Sequence, residues 1–302
     1  MFPDWTTTAL LSSVLMGVVN ILDSHLLSRR MPSVRAFWIM AGFSQLVYAL
    51  VLFVIFPLPA DVSTVPLLVA VGSGVMRAAA VSINLYHLKK EEVSRVVPIV
   101  YSYPVFVALL AVPLLGEILT ALQWLAVIVV VAGAMTISVE RKSAEAGTWL
   151  KRTTFFLFMA SLLFAGADVT VKYALGYLSF WNASAIAALC LSVYFLSASL
   201  RPRFLRQLAG IKRKKSTFGL YACNMVLAPV AIVFSFSAMQ RGPISLVSTI
   251  LCSRIVFVAI YSLILSRILP GFLMAFPSLR VFAWRLVVIV LIFGGISLIY
   301  LT

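Results

Sequence analysis

Asp23, His25, Arg77, Asp168, Lys172 and Arg254 stand inside runs of sequence that are otherwise apolar. A charge at the centre of a bilayer costs about 3 kcal/mol even on insertion scales, so each of these residues marks a site or a pair. Guanidinium keeps its charge and offers a planar fork suited to carboxylate or phosphate. Arg77 lies in VGSGVMRAAAV, among small residues that let a helix or a ligand approach, and Arg254 lies in LCSRIVFVA. Both are candidate substrate-binding residues, and together they favour an anionic or zwitterionic ligand over a purely cationic one. The alternative is that either arginine pairs structurally with Asp23 or Asp168. Asp168 and Lys172 are four apart. Either they neutralise each other along one helix face, or Asp168 accepts a proton or cation, because removal from water favours a neutral carboxyl. Asp23, Asp168 and Lys172 are the candidate coupling residues.

A stripe of small and polar residues accompanies them. Ser13, Gly17, Asn20 and Ser24 share one helical face, and Ser161, Ala165, Asp168 and Lys172 repeat it at an offset of 148. Such a stripe either lines a cavity or lets helices pack closely. Pro98, Pro104 and Pro229 interrupt apolar runs, and irregular backbone in lipid is tolerated only beside a cavity or within protein. That makes Tyr101, Tyr103 and Asn224, near these bends, and Asn20 candidate polar contacts, although each fits packing equally well. Glu117 falls at a membrane interface, as a structural rather than a catalytic carboxylate.

The elements that must hold these residues are membrane spans. Of 302 residues 63% are hydrophobic and 11% charged, whereas a soluble domain carries about a quarter charged residues. Ten stretches reach the roughly 20 apolar residues needed to cross a bilayer: 7–28, 36–56, 65–87, 94–116, 121–139, 154–175, 181–200, 217–239, 243–266 and 281–301. Lipid offers no partner for a free amide, so the fold class is all-α. The first run has no basic residue before it and reads as a retained helix. Cys190, Cys223 and Cys252 read as apolar fillers. With no GxxxxGK[ST], HExxH or CxxC, the sequence implies no metal, no cofactor and no ATP-driven pumping by this chain.

The net charge of +15 is distributed as a topology signal, not as a nucleic-acid surface. Nineteen of the 24 basic residues lie in or beside alternate loops, the longest basic stretch being 201–215, while the other loops hold only Arg241. This places the odd-numbered loops in the cytoplasm and both termini outside, in what is expected to be the cell (inner) membrane. The 201–215 stretch also reads as a segment that binds membrane lipid. Residues 93–108, VSRVVPIVYSYPVFVA, and 244–259, ISLVSTILCSRIVFVA, match at eight of sixteen positions at an offset of 151. Five spans per repeat force the halves into opposite orientations, so the expected organisation is a first repeat over 7–139, a linker over 140–153 and a second repeat over 154–301. Such a repeat in a membrane chain points to a carrier with its site between the halves.

Residues 103–137, YPVFVALLAVPLLGEILTALQWLAVIVVVAGAMTI, resemble the end of an EamA domain, the repeat unit of the drug/metabolite transporter superfamily, through Pro104, Val105, Phe106, Gly116, Glu117 and Gly133. The second half follows with VFVA at 256–259 and with Gly294 for Gly133, but has LILSRILP in place of the Gly-Glu pair. The resemblance implies ten helices in two inverted five-helix repeats, spans 1, 3, 4, 6, 8 and 9 around a central cavity, and spans 5 and 10 at the back or at a homodimer contact. Its usual arrangement has both termini inside; the charges here favour outside.

The expected function is a secondary transporter, not an enzyme, that exports a small polar metabolite, amino-acid-like or an organic anion, by proton-coupled alternating access. The alternatives are a membrane scaffold or flippase subunit, or an integral-membrane enzyme acting on lipid-linked groups.

Overall fold

The computed structural model describes residues 4–59, 62–90, 99–138, 148–209, 211, 214–268 and 294–295. Every named element in these stretches is a helix. α1 (Trp5–His25) continues as a π-turn over Leu26–Arg30, followed by α2 (Val34–Ile55) and α3 (Thr64–Lys90). Then come α4 (Tyr103–Leu115), α5 (Ala121–Ser138), α6 (Thr148–Ala174) and α7 (Phe180–Ser199). A short α8 (Pro202–Ala209) precedes α9 (Lys214–Arg241), α10 (Ile244–Cys252) and α11 (Arg254–Ile268).

Seven of these segments are long and apolar enough to cross a membrane: α1 with its π-turn, α2, α3, α6, α7, α9, and α10 running into α11. α4 and the Ala121–Ala132 part of α5 are apolar but shorter. The expected span at 281–301 lies outside the described residues except for Gly294 and Gly295. There a Cβ on Gly295 would stand 2.8 Å from Val130, so this point packs on α5. α6 starts at Thr148, inside the stretch read from sequence as linker. α8 is a second addition, since the 201–215 stretch reads as loop.

Spans 4 and 9 are both broken, and in the same way. The Ser102 N–H donates to the Ile99 carbonyl (3.3 Å) and the Val105 N–H to the Ser102 carbonyl (3.1 Å). The Ser253 N–H donates to Ile250 (3.0 Å) and the Val256 N–H to Ser253 (2.8 Å), the same pair of tight turns 151 residues on. Three-residue turns of this kind interrupt the α ladder and re-aim the next side chains. α4 therefore starts afresh at Tyr103, with Pro104 in its first turn, where a missing N–H costs nothing. α11 starts afresh at Arg254.

α1 packs on α9, α10 and α11; α3 on α6 and α7; α2 on α7; and α4 on α6 and α10. Small residues permit the approach. A Cβ on Gly74 would lie 2.8 Å from the Cβ of Cys190, so α3 and α7 touch nearly backbone to backbone.

The two ends of the bundle are tied by different loops. At one end Ser33 donates to Gln207 Oε1 (2.5 Å), Arg35 lies 4.9 Å over the Phe204 ring, and Lys89 Nζ donates to the Met31 carbonyl (3.2 Å). At the other, Phe56 stacks on Trp181 at 4.6 Å and Asn182 donates to the Phe56 carbonyl (2.9 Å). Residues 33–35, 89 and 204–207, all from basic loops, thus share one end.

Candidate functional site

A cavity of about 90 Å³ lies among these helices, with Ser13, Gln45, Arg77, Tyr103, Asp168 and Arg254 in its wall. That is several times the roughly 10–15 Å³ a single water requires. α3 brings Arg77, α6 Asp168, and the two breaks bring Tyr103 and Arg254, which are themselves 151 apart and so occupy the same place in each repeat.

Arg77 Nη2 donates to Asp168 Oδ1 at 2.6 Å, and Ser248 Oγ donates to Asp168 Oδ2 at 3.3 Å. The carboxylate is 2% exposed and the guanidinium side chain 23%, so the arginine is the wetter partner. Arg77 also lies 5.3 Å over the Phe236 ring. Arg254 lies 4.7 Å over the ring of Tyr101, whose hydroxyl accepts a hydrogen bond from Asn20 Nδ2 at 3.1 Å. Among the described residues no carboxylate is within ion-pair reach of Arg254, and the buried Nε atoms of Arg77 and Arg254 have no hydrogen-bond partner. Two guanidiniums against one carboxylate leave one positive charge in the wall of a small cavity.

The residues singled out by sequence fall into three places. Arg77, Tyr103, Asp168 and Arg254 line the cavity, with Asn20 and Tyr101 joined to it through Arg254. Asp23 and Asn224 form a pair of their own, Asn224 Nδ2 donating to Asp23 Oδ1 at 2.7 Å between α1 and α9. The buried Asn224 Oδ1 is unsatisfied. Lys172 does not meet Asp168. Its Nζ donates to the carbonyls of Met239 (2.8 Å), Gln240 (3.2 Å) and Gly242 (2.8 Å), the end of α9. A cation at a helix C-terminus satisfies orphan carbonyls and opposes the dipole, which outweighs a pairing along its own helix.

Gln45 and Ser184 also line the cavity, with the buried Gln45 Oε1 lacking a partner. Gln45 carried a signal, a lone amide inside the apolar run 36–56. Ser184 carried none, since serine is common in packed membrane helices. Glu117 accepts from the N–H groups of Ile244 and Ser245 and from the Ser245 hydroxyl (2.6 Å), capping the start of α10.

Comparison with known proteins agrees with this architecture. Residues 5–139 match the EamA-like transporter family. A crystal structure of a protein 17% identical to this one aligns over 98% of this chain and 95% of that one with a TM-score of 0.67, a likeness of fold. No curated protein matches. The chain is an integral membrane protein whose residues 5–139 match the EamA-like transporter family, in keeping with the drug/metabolite transporter superfamily.

Proposed function

We propose that this chain is a secondary transporter that moves a small anionic or zwitterionic metabolite, amino-acid-like or an organic acid, by alternating access between two inverted five-helix repeats. The carrying observation is the cavity, in whose wall Arg77 and Arg254 outnumber Asp168. A carboxylate of the substrate would offset the excess positive charge; a purely cationic substrate would add to it.

The helix pairing supports the inverted arrangement. α1 packs on α9 as α6 packs on α3, and α1 packs on α11 as α6 packs on α4, which is what exchanging first and second halves gives. The matched breaks at Ser102 and Ser253 point the same way. Asp168 holds Arg77 in the substrate-free cavity, and the Asp23–Asn224 pair is assigned the coupling role because it bridges α1 and α9 outside the cavity wall. Export is the direction assigned to transport.

The test is counterflow of labelled amino acids, organic acids and nucleosides in proteoliposomes. Uptake of an anionic or zwitterionic class, lost in Arg77→Ala and in Arg254→Gln while both variants remain folded, is the expected result. Exclusive uptake of cations, or full activity in both variants, would overturn it. Asp23→Asn should keep counterflow while losing acceleration by an imposed pH gradient.

A further inference from the structure

We infer that the groove between α2, α8 and α9 is a binding site for an anionic phospholipid, one acyl chain lying in the groove and the phosphate held by basic residues at its mouth. The groove is lined by Ile39, Phe43, Leu205, Phe218, Tyr221 and Met225 and has a volume of about 490 Å³. Its rim faces outward, with Phe43 47% and Phe218 51% exposed. On α9 the groove is lined from Phe218 to Met225, seven residues or a rise of about 10 Å at 1.5 Å per residue, so it runs inward from the loop end of the bundle. A channel with that direction and an apolar wall suits an extended hydrocarbon chain.

The mouth is cationic. Lys214 and Lys215 lie four and three residues before Phe218, on its face of α9, and Arg203 and Arg206 lie on α8 with Leu205 and Leu208; all four basic side chains are exposed. No Asp or Glu occurs anywhere after Asp168, and among the described residues the one ion pair is Arg77–Asp168. The 201–215 stretch, with seven Lys and Arg, therefore has no carboxylate of its own half to neutralise it. α8 itself is eight residues long, with Leu205 and Leu208 turned to the groove and arginines beside them, the pattern of a helix lying in the headgroup layer. Apolar groove and cationic mouth coincide at one place, and an anionic lipid satisfies both.

Native mass spectrometry of the full chain in detergent, titrated with dioleoyl phosphatidylglycerol or dioleoyl phosphatidylcholine, tests this. The anionic lipid should form the more abundant single adduct, and each of Arg203→Ala, Arg206→Ala, Lys214→Ala and Lys215→Ala should lower that preference by about fivefold. Ala222→Trp, which fills the groove and leaves the charges, should remove the adduct, while Cys223→Ala next to it should not. Equal binding of the two lipids would overturn the proposal. So would displacement of the lipid by inorganic phosphate at equal concentration, which would make this a free-phosphate site. A dimer mass abolished by Ala222→Trp would assign the groove to a second copy of the chain instead and also overturn it.

Discussion

Arg77 and Asp168 are held together by the medium around them. A lone charge out of water carries a penalty of several kcal/mol, so removing one partner of such a pair costs about 3–5 kcal/mol, whereas replacing both with apolar residues is close to neutral. Asp168→Ala should therefore lower the thermal midpoint in detergent far more than Arg77→Met with Asp168→Leu, while both variants lose transport. Equal midpoints would mean that the 2.6 Å contact is solvated and contributes little. That these positions matter was legible from sequence, because lipid penalises any isolated charge. Their pairing stood in the sequence as one alternative among several, either arginine with Asp23 or with Asp168. Spacing brings Lys172 beside Asp168, but cross-helix packing supplies Arg77 to the carboxylate and the end of α9 to the ammonium. Likewise Asp23, four residues from nothing that could neutralise it, finds Asn224 only through the packing of α1 on α9.

At the scale of elements, the short motif Gly116-Glu117 joins two helices from opposite halves. Gly116 has φ of 67°, a left-handed C-cap that ends α4, and Glu117 then turns to cap the start of α10. A β-carbon in that backbone region costs roughly 1–2 kcal/mol, and loss of an N-terminal cap costs about 1 kcal/mol. Gly116→Val and Glu117→Ala should each lower the thermal midpoint, and Glu117→Gln should recover only part of the loss, because its single amide oxygen accepts from one N–H group while its NH2 faces the other. A Glu117→Ala protein as stable as the parent would show that α10 is held by its apolar packing alone. The break in span 4 was legible through Pro104; the break in span 9 has no proline or glycine to announce it. It was nonetheless written in the repeat, since Ser253 stands 151 residues after Ser102 and makes the same pair of turns. α8 escaped notice because its basic residues read as loop, and eight residues are too few for a periodicity to stand out.

For the whole molecule, the charge distribution and the packing make one joint statement about sidedness. The basic loops that sequence assigns to the cytoplasm meet in space: Ser33 reaches Gln207 and Arg35 reaches Phe204, although 174 residues separate the first two. The loops with almost no basic residues meet at the opposite end, where Phe56 stacks on Trp181. A helical bundle with an even number of crossings between residues 33 and 207 has this property, and a miscounted span would place them apart. Positive loops stay on the cytoplasmic side, so the end bearing Ser33 and Gln207 is expected there. Single cysteines at Ser33, Arg206, Leu58 and Tyr177, in a chain whose Cys190, Cys223 and Cys252 are replaced by alanine, test the count and the orientation separately. In intact cells a membrane-impermeant maleimide should label positions 58 and 177 and leave 33 and 206 to a permeant reagent. Labelling of 33 and 206 from opposite sides would break the fold, and with it the cavity. Labelling of 33 and 206 alone by the impermeant reagent would keep the fold and invert it in the membrane, exchanging the direction assigned to transport and moving the cationic mouth of the α8 groove to the other leaflet.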